Sequence, residues 1–530
     1  MKKILFLLSM LAALPMTAQT DAFEQFKKQQ EARFNQFKDD QQAEYDKFRK
    51  RVNEEYAEFM RRAWAEFPAH EADEQPEEKS IEPVFYEEPA PQPQQQPAPQ
   101  PQQAQQPAQP AQPAQPAPQP VVREDISAIP VPQQEAAPIA VKPTVIVIPE
   151  PAPAPAPIAP VVPKEEPFKR VSIAYYGALI TIGFPENDRF KLSGADENAI
   201  ADGWKALSDN KYDITVKTAL DARDANALCD WAYMDMLRTV CEKQYGKGNE
   251  ATLAQAFLLV QSGYRIRIGN DNGKLQLLVA SLYDIYGLKY FLLDGTKFYV
   301  VSGDKNTRMH ICESKYGKER SLSMQIAQLP KFTSEPTPKR TLTSRKGVTA
   351  SVSVNKNLID FFNTYPQACY KGDYTTRWAA YANTPLDKSI QNALYPALKK
   401  TISGMTERQA VEILLNWVQT AFEYKVDDQV WGHDRAFFAQ ETLYYPFCDC
   451  EDRAILFSRL VRDLVGLDVV LLYYPGHLAS AVAFSKDEKG DYLTYKNRKY
   501  VVCDPTYINA GVGRTMPNMN NQQAQVIALK

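Results

Sequence analysis

Residues 74–167 carry 26 of the chain's 39 prolines, set among Gln and Ala in runs such as QPAQPAQPAQPAPQP and PEPAPAPAPIAP. A stretch that lacks an amide donor at so many positions, and has few large apolar side chains, cannot build a hydrogen-bonded core. It predicts an extended Pro/Gln/Ala-rich linker over 73–167. The 530 residues are thereby divided into a short N-terminal segment and a C-terminal portion long enough for two ordinary domains.

The N-terminal segment opens with Lys2 and Lys3, an apolar run from Ile4 to Leu14, and Met16-Thr17-Ala18. This pattern predicts a signal peptide over 1–18, cleaved after Ala18, and the apolar run is too short to span a bilayer as a helix. Gln19, not a cysteine, stands directly after the expected cleavage point, and no later segment is apolar enough to cross a membrane. The expectation is a periplasmic or secreted protein without a lipid anchor or transmembrane segment. The net charge of -3 gives no general reason to expect nucleic acid as a partner.

Over 19–72 the sequence is dense in Glu, Gln, Lys and Arg, and its rings fall in pairs: Phe23 and Phe26, Phe34 and Phe37, Tyr45 and Phe48, Tyr56 and Phe59. The period is eleven. Eleven residues make three helical turns, so the rings form one stripe on a long amphipathic helix and favour a partner with slight right-handed supercoiling. Self-association through residues 21–67, packing of a lone surface helix on the catalytic domain, and a membrane-surface helix are three readings of that stripe; mixed charges around it weaken the third.

The chemistry concentrates in YYPFCDCEDRAILFSRLVRDLVG, Tyr444 to Gly466. Asp449 reads as an N-cap and Cys450 as the first residue of a helix whose apolar positions Leu456, Leu460, Val461, Leu464 and Val465 recur at helical spacing until Gly466. Unpaired N–H groups and the positive end of the dipole there would favour a thiolate. Two strands follow, Val469–Leu472 and Ala479–Phe484, with His477 at the edge of the second; a third, Lys499–Val502, ends in Cys503, Asp504 and Pro505. The order Cys, His, Asp is that of a nucleophile, its base and the base's orienter. A preceding helix, Glu407–Phe422, capped at Thr406, is expected to pack on the Cys450 helix.

These motifs, DCEDRA, GHLASAV and YVVCDPT, resemble those of the transglutaminase-like superfamily, over about Met405 to Thr506. The resemblance implies an α+β, papain-like catalytic domain over 346–530. It also implies Cys450 as nucleophile, His477 as general base and acid, and Asp504 as the residue that fixes the imidazole tautomer. Many members carry an aromatic residue after the histidine, whereas Leu478 stands here. The oxyanion is expected to meet the Cys450 N–H and one upstream donor, with Trp431 and Tyr444 as candidates. The implied activity is that of a cysteine protease, amidase or transglutaminase acting on a peptide or protein amide through a thioester, with no cofactor and no metal. A noncatalytic peptide- or glycan-binding scaffold is the alternative.

Aligning Lys247–Ala280 with Cys450–Ala483 without a gap matches Ala251 with Ala454, Leu253 with Leu456, Gly263 with Gly466, Gly273 with Gly476 and Val279 with Val482. Lys274 stands where His477 stands, and the position of Asp504 falls near Gly303. Residues 168–335 are thus either a transglutaminase-like copy that has lost its catalytic residues or an unrelated α/β domain with a similar helix and hairpin. Seven cysteines leave at least one thiol unpaired within the chain, and Cys450 is the natural one. A structural zinc site of Cys448, Cys450, His477 and Cys503 competes with the triad but leaves Asp504 without a role.

Overall fold

The structure is a computed structural model that describes residues 16–66, 69–72, 144–163, 166–188, 190–301, 308–517 and 519–530. Residues 1–15 of the expected signal peptide and 73–143 of the expected linker lie outside these residues, while residues 16–18 begin a helix. The protein is a mixed α+β molecule of two compact units, one formed by residues 148–337 and 354–385 with the N-terminal helix, the other by 338–353 and 386–530 with the strand before residue 148. Residues 354–385 were expected in the second domain. They fold with the first, where Phe361 packs against Phe332 and Tyr176, and strand Ala368–Tyr370 pairs with Tyr283–Ile285.

In the first unit, helix α1 runs from Met16 to Glu66. Its last third docks on the globular part of that unit: Tyr56 stacks on Trp204 at 4.8 Å, Asn53 Oδ1 accepts from Trp204 Nε1 and Gln261 Nε2, and Arg49 forms a double ion pair with Asp213. Among the stripe rings whose burial is described, Tyr56 alone is buried, while Phe26, Phe34 and Phe37 are 57%, 57% and 61% exposed. The docking face is built from Arg49, Asn53, Tyr56, Ala57 and Met60, a mixed polar set to which the ring period gives no clue.

The end of the Pro-rich segment departs from the expected spacer. Ile148, Ala159 and Val161 are buried in the first unit, and Arg223 and Gln325 donate to the Pro155 and Pro149 carbonyls. Side-chain donors thus satisfy carbonyls that a proline-rich segment cannot pair in a ladder of its own.

The two six-stranded sheets have twelve strands, numbered in chain order: β1 (His70–Glu71), β2 (Thr144–Ile146), β3 (Ile266–Asp271), β4 (Lys274–Ser281), β5 (Tyr290–Leu293), β6 (Thr296–Val300), β7 (Arg308–Cys312), β8 (Asp468–Tyr474), β9 (His477–Ala483), β10 (Tyr492–Tyr495), β11 (Arg498–Cys503) and β12 (Gln525–Ala528). The first sheet has the order β1-β7-β3-β4-β6-β5, and the second, read from the matching edge, β2-β12-β8-β9-β11-β10. The registers agree as well. Ile266 faces Val279 as Val469 faces Val482, Asp271 faces Lys274 as Tyr474 faces His477, and Tyr290 faces Tyr299 as Tyr492 faces Val501. Only the outermost pairing differs, antiparallel for β1 and parallel for β2.

Each central hairpin is preceded by a helix packed on its own sheet, α2 (Asn249–Gln261) in the first unit and, in the second, α4 (Cys450–Leu464). Helix α3 (Glu407–Ala421) lies against α4 and is capped by Thr406, whose hydroxyl accepts from the Gln409 N–H at 3.3 Å. Leu456, Leu460 and Val461 are fully buried, and Gly466, with φ of +78°, turns the chain out of α4 into β8.

Candidate functional site

Helix α4 begins at Cys450, with Asp449 in extended backbone at the cap position. Asp452, in the first turn, reaches back to accept the Asp449 N–H at 3.2 Å. Strand β9 begins at His477, opposite Tyr474, whose ring lies nearly parallel to the imidazole at 6.4 Å. Strand β11 ends one residue before Asp504.

His477 Nε2 and Asp504 Oδ2 are 2.8 Å apart, and both residues are 2% exposed. The other carboxylate oxygen, Oδ1, accepts the Thr506 and Tyr507 N–H groups at 2.8 and 3.2 Å. The turn is pinned further by Gln419 on α3, whose Nε2 donates to the Asp504, Tyr507 and Ala510 carbonyls. Asp504 therefore caps the Pro505 turn and holds the imidazole at once. With Nε2 engaged, Nδ1 is the ring nitrogen that carries no hydrogen bond to the described residues.

Cys450 is 4% exposed, and its Sγ lies 3.1 Å from Glu451 Oε2. It makes no hydrogen bond to the His477 ring. Burial first, then the Glu451 and Asp449 charges and the bond to Glu451, push the thiol well above its ordinary range, opposed by a hydrogen bond from the Leu478 N–H. The expectation that the helix start favours a thiolate is thus reversed, because two adjacent carboxylates and burial outweigh the dipole.

All seven cysteines are free. The Cys448 and Cys503 thiols point to the Glu423 and Val501 carbonyls, and no ligand cluster of Cys448, Cys450, His477 and Cys503 forms among the described residues. The oxyanion candidates make no hydrogen bond to Cys450 among the described residues. Trp431 meets Phe437 and Tyr445 edge to face with the Arg435 guanidinium over its ring, and Tyr444 packs on Tyr445. The donor near the sulfur is instead the Leu478 N–H, which the adjacency of Leu478 to His477 could have suggested.

The sequence shows Asp449, Glu451 and Asp452 as an acidic helix start, but not the approach of Asp427 and Asp434 to it. Asp427, Asp434, Asp449, Glu451 and Asp452 are all buried. Close by in sequence, Glu441 accepts from Arg435 Nη2 and the Phe438 N–H, and burial still pushes its pKa up to about 7. A carboxyl raised in the fold binds more protons there than in the unfolded chain, so between about pH 4.5 and 7 rising pH removes stability, by up to about 3 kcal/mol. Glu441→Gln is expected to flatten that part of the pH dependence in urea unfolding at pH 5 and 7.5. An unchanged slope would contradict the assignment.

In the first unit, the positions matching Cys450 and His477 hold Lys247 and Lys274, which line a cavity of about 340 Å³ together with Arg238, Glu242 and Gln255. The match to Asp504 lies outside the described residues. Comparison with family models, curated proteins and solved structures finds no match to this chain. Among the described residues no helix is long and apolar enough to cross a membrane.

Proposed function

We propose that the chain is an exported thiol-dependent amide-bond enzyme of transglutaminase-like fold, in which Cys450, His477 and Asp504 act together through a thioester. The observation that carries this reading is the buried His477–Asp504 pair, set at the start of the strand against which the helix beginning at Cys450 packs. Attack begins when Sγ exchanges its Glu451 contact for His477 Nδ1 and gives up its proton. The sulfur bonds to the carbonyl carbon, the imidazolium protonates the departing amine, and water or a second amine then releases the acyl group. Asp504 holds Nε2–H and stabilises the imidazolium that forms. Hydrolysis is the first expectation and transamidation the second.

The matching strand order and register support an internal duplication whose first copy has exchanged its nucleophile and base for lysines. Its cavity suits binding rather than acyl transfer. The buried, protonated Cys450 favours a second reading for the whole chain, a noncatalytic scaffold that binds peptide or glycan. Self-association through the exposed Phe26, Phe34 and Phe37 fits either.

Under mild reduction, iodoacetamide is expected to mark Cys450 stoichiometrically in the wild type, not at all at that position in Cys450→Ser, and much more slowly in His477→Ala. Peptide mapping that finds the label on the partly exposed Cys229 and none on Cys450 would favour the scaffold.

A further inference from the structure

The five carboxylates beside Cys450 come from two separate stretches of chain. Asp449, Glu451 and Asp452 lie at the start of α4; Asp427 and Asp434 come from the preceding loop region and meet them only in the fold. One donor oxygen each from Asp427, Asp434 and Glu451 lies within 4.8 Å of the others, and the same holds for Asp427, Asp449 and Asp452; in a third group Asp449 and Glu451 meet the Cys450 sulfur. Asp427 belongs to both all-oxygen groups.

The helix start explains only part of this. Asp452 is used by the Phe437 and Asp449 N–H groups, and Asp427 Oδ2 accepts from the Arg435 N–H. But Asp449 Oδ1 and Glu451 Oε1 are buried without any hydrogen bond, in residues only 7% and 2% exposed. Asp449, Glu451 and Asp452 also make no ion pair among the described residues. Arg453, buried in the same turn, donates instead to the Phe422 carbonyl and lies over the Tyr424 ring. Bare carboxylate oxygens inside a protein, crowded by like charges, call for a positive partner.

We propose that Asp427, Asp434 and Glu451, with Asp449 and Asp452 around them, form a buried site for a hard divalent cation of the calcium class. Oxygen-only donors select a hard ion, and carboxylates in irregular array suit the larger, flexible shell of calcium better than the hydrated octahedron of magnesium. Bound there, the ion gives the Glu451 carboxylate a positive partner and ties the loop carrying Asp427 and Asp434 to the start of α4. It also occupies the carboxylate that now holds Cys450 Sγ. The site does not depend on the thiol reading, since none of these carboxylates belongs to the proposed triad.

The test is calorimetric titration of the full chain, freed of metal by a chelator, with calcium chloride alone and then magnesium chloride alone, each paired with a thermal melt. One calcium per chain, a raised melting temperature, and a loss of calcium affinity of roughly tenfold or more in both Asp427→Asn and Glu451→Gln are expected. Asp428→Asn, an exposed neighbour, keeps the wild-type isotherm. His477→Ala keeps it too, because His477 bonds to Asp504 and to none of these carboxylates, and this separates the result from the fate of the enzyme reading. Should either carboxamide variant fail to fold, the wild-type stoichiometry and the other variant decide the matter. No heat and no shift in the melt at millimolar calcium, unchanged binding in Asp427→Asn and Glu451→Gln, or tight binding of magnesium in place of calcium would overturn the proposal.

Discussion

Asp504→Ala is expected to cost about 3–5 kcal/mol of folding stability, read as a fall in the urea midpoint. The substitution removes the partner of His477 Nε2 and leaves the Thr506 and Tyr507 N–H groups without their acceptor, all in a place where both Asp504 and His477 are 2% exposed. Asp504→Asn separates the two duties of the side chain. Its carbonyl oxygen still serves the turn, so most of the loss is recovered. Its amide donates toward Nε2, however, and drives the imidazole proton to Nδ1, which can then no longer accept the Cys450 proton. Cys450 alkylation should therefore be as slow in Asp504→Asn as in Asp504→Ala while stability differs. Equal instability of the two variants would show that the turn does not depend on Oδ1.

A comparable loss is expected from Gly513→Ala. Gly490 and Gly513 meet backbone to backbone: a Cβ on Gly513 would stand 2.5 Å from Gly490 Cα and 2.8 Å from the Lys489 carbonyl oxygen, and φ at Gly513 is +87°. Neither neighbour is a flexible side chain that can swing away. The contact is locked by Asp491 N–H donating to the Gly513 carbonyl, Gly513 N–H to Val502 and Val502 N–H to Asp491, so relief would displace the end of β11 that carries Asp504. The expected cost is about 3 kcal/mol or more. Gly466→Ala is the control. It has a similar φ, +78°, but nothing within 4 Å of the added carbon, and should cost only about 1–2 kcal/mol. Equal effects at the two glycines would place the cost in backbone conformation alone.

Local pattern was enough to find the helix beginning at Cys450, the hairpin that starts its return at His477 and the strand running to Cys503. Each is announced by its own residues: Asp449 and Gly466 bracket the helix, and Gly476 turns the hairpin. Setting Lys247–Ala280 against Cys450–Ala483 rests on turn glycines and buried aliphatics, and the two central hairpins have the same register along that alignment. Chemistry set by tertiary approach was not legible. Nothing in the spacing of Asp427 and Asp434 announces that they meet Glu451, and nothing local announces the burial that, with the neighbouring Glu451 and Asp449, raises the Cys450 thiol against the helix dipole. The docking of α1 was hidden likewise, since Arg49 and Asn53 read as surface residues until Asp213, Trp204 and Gln261 are placed against them. The buried end of the Pro-rich segment escaped because its carbonyls are satisfied by distant side chains.

The central claim, that the Cys450 sulfur accepts an acyl group with His477 taking its proton, is tested most directly by mixing the full chain with a small activated aryl ester and digesting it at once for mass spectrometry. The account predicts a burst of about one equivalent of released phenol and a matching acyl adduct on the peptide containing Cys450, absent from Cys450→Ser and strongly slowed in His477→Ala. A wild-type chain that gives no burst and carries no acyl group on Cys450, with or without added calcium, would contradict it.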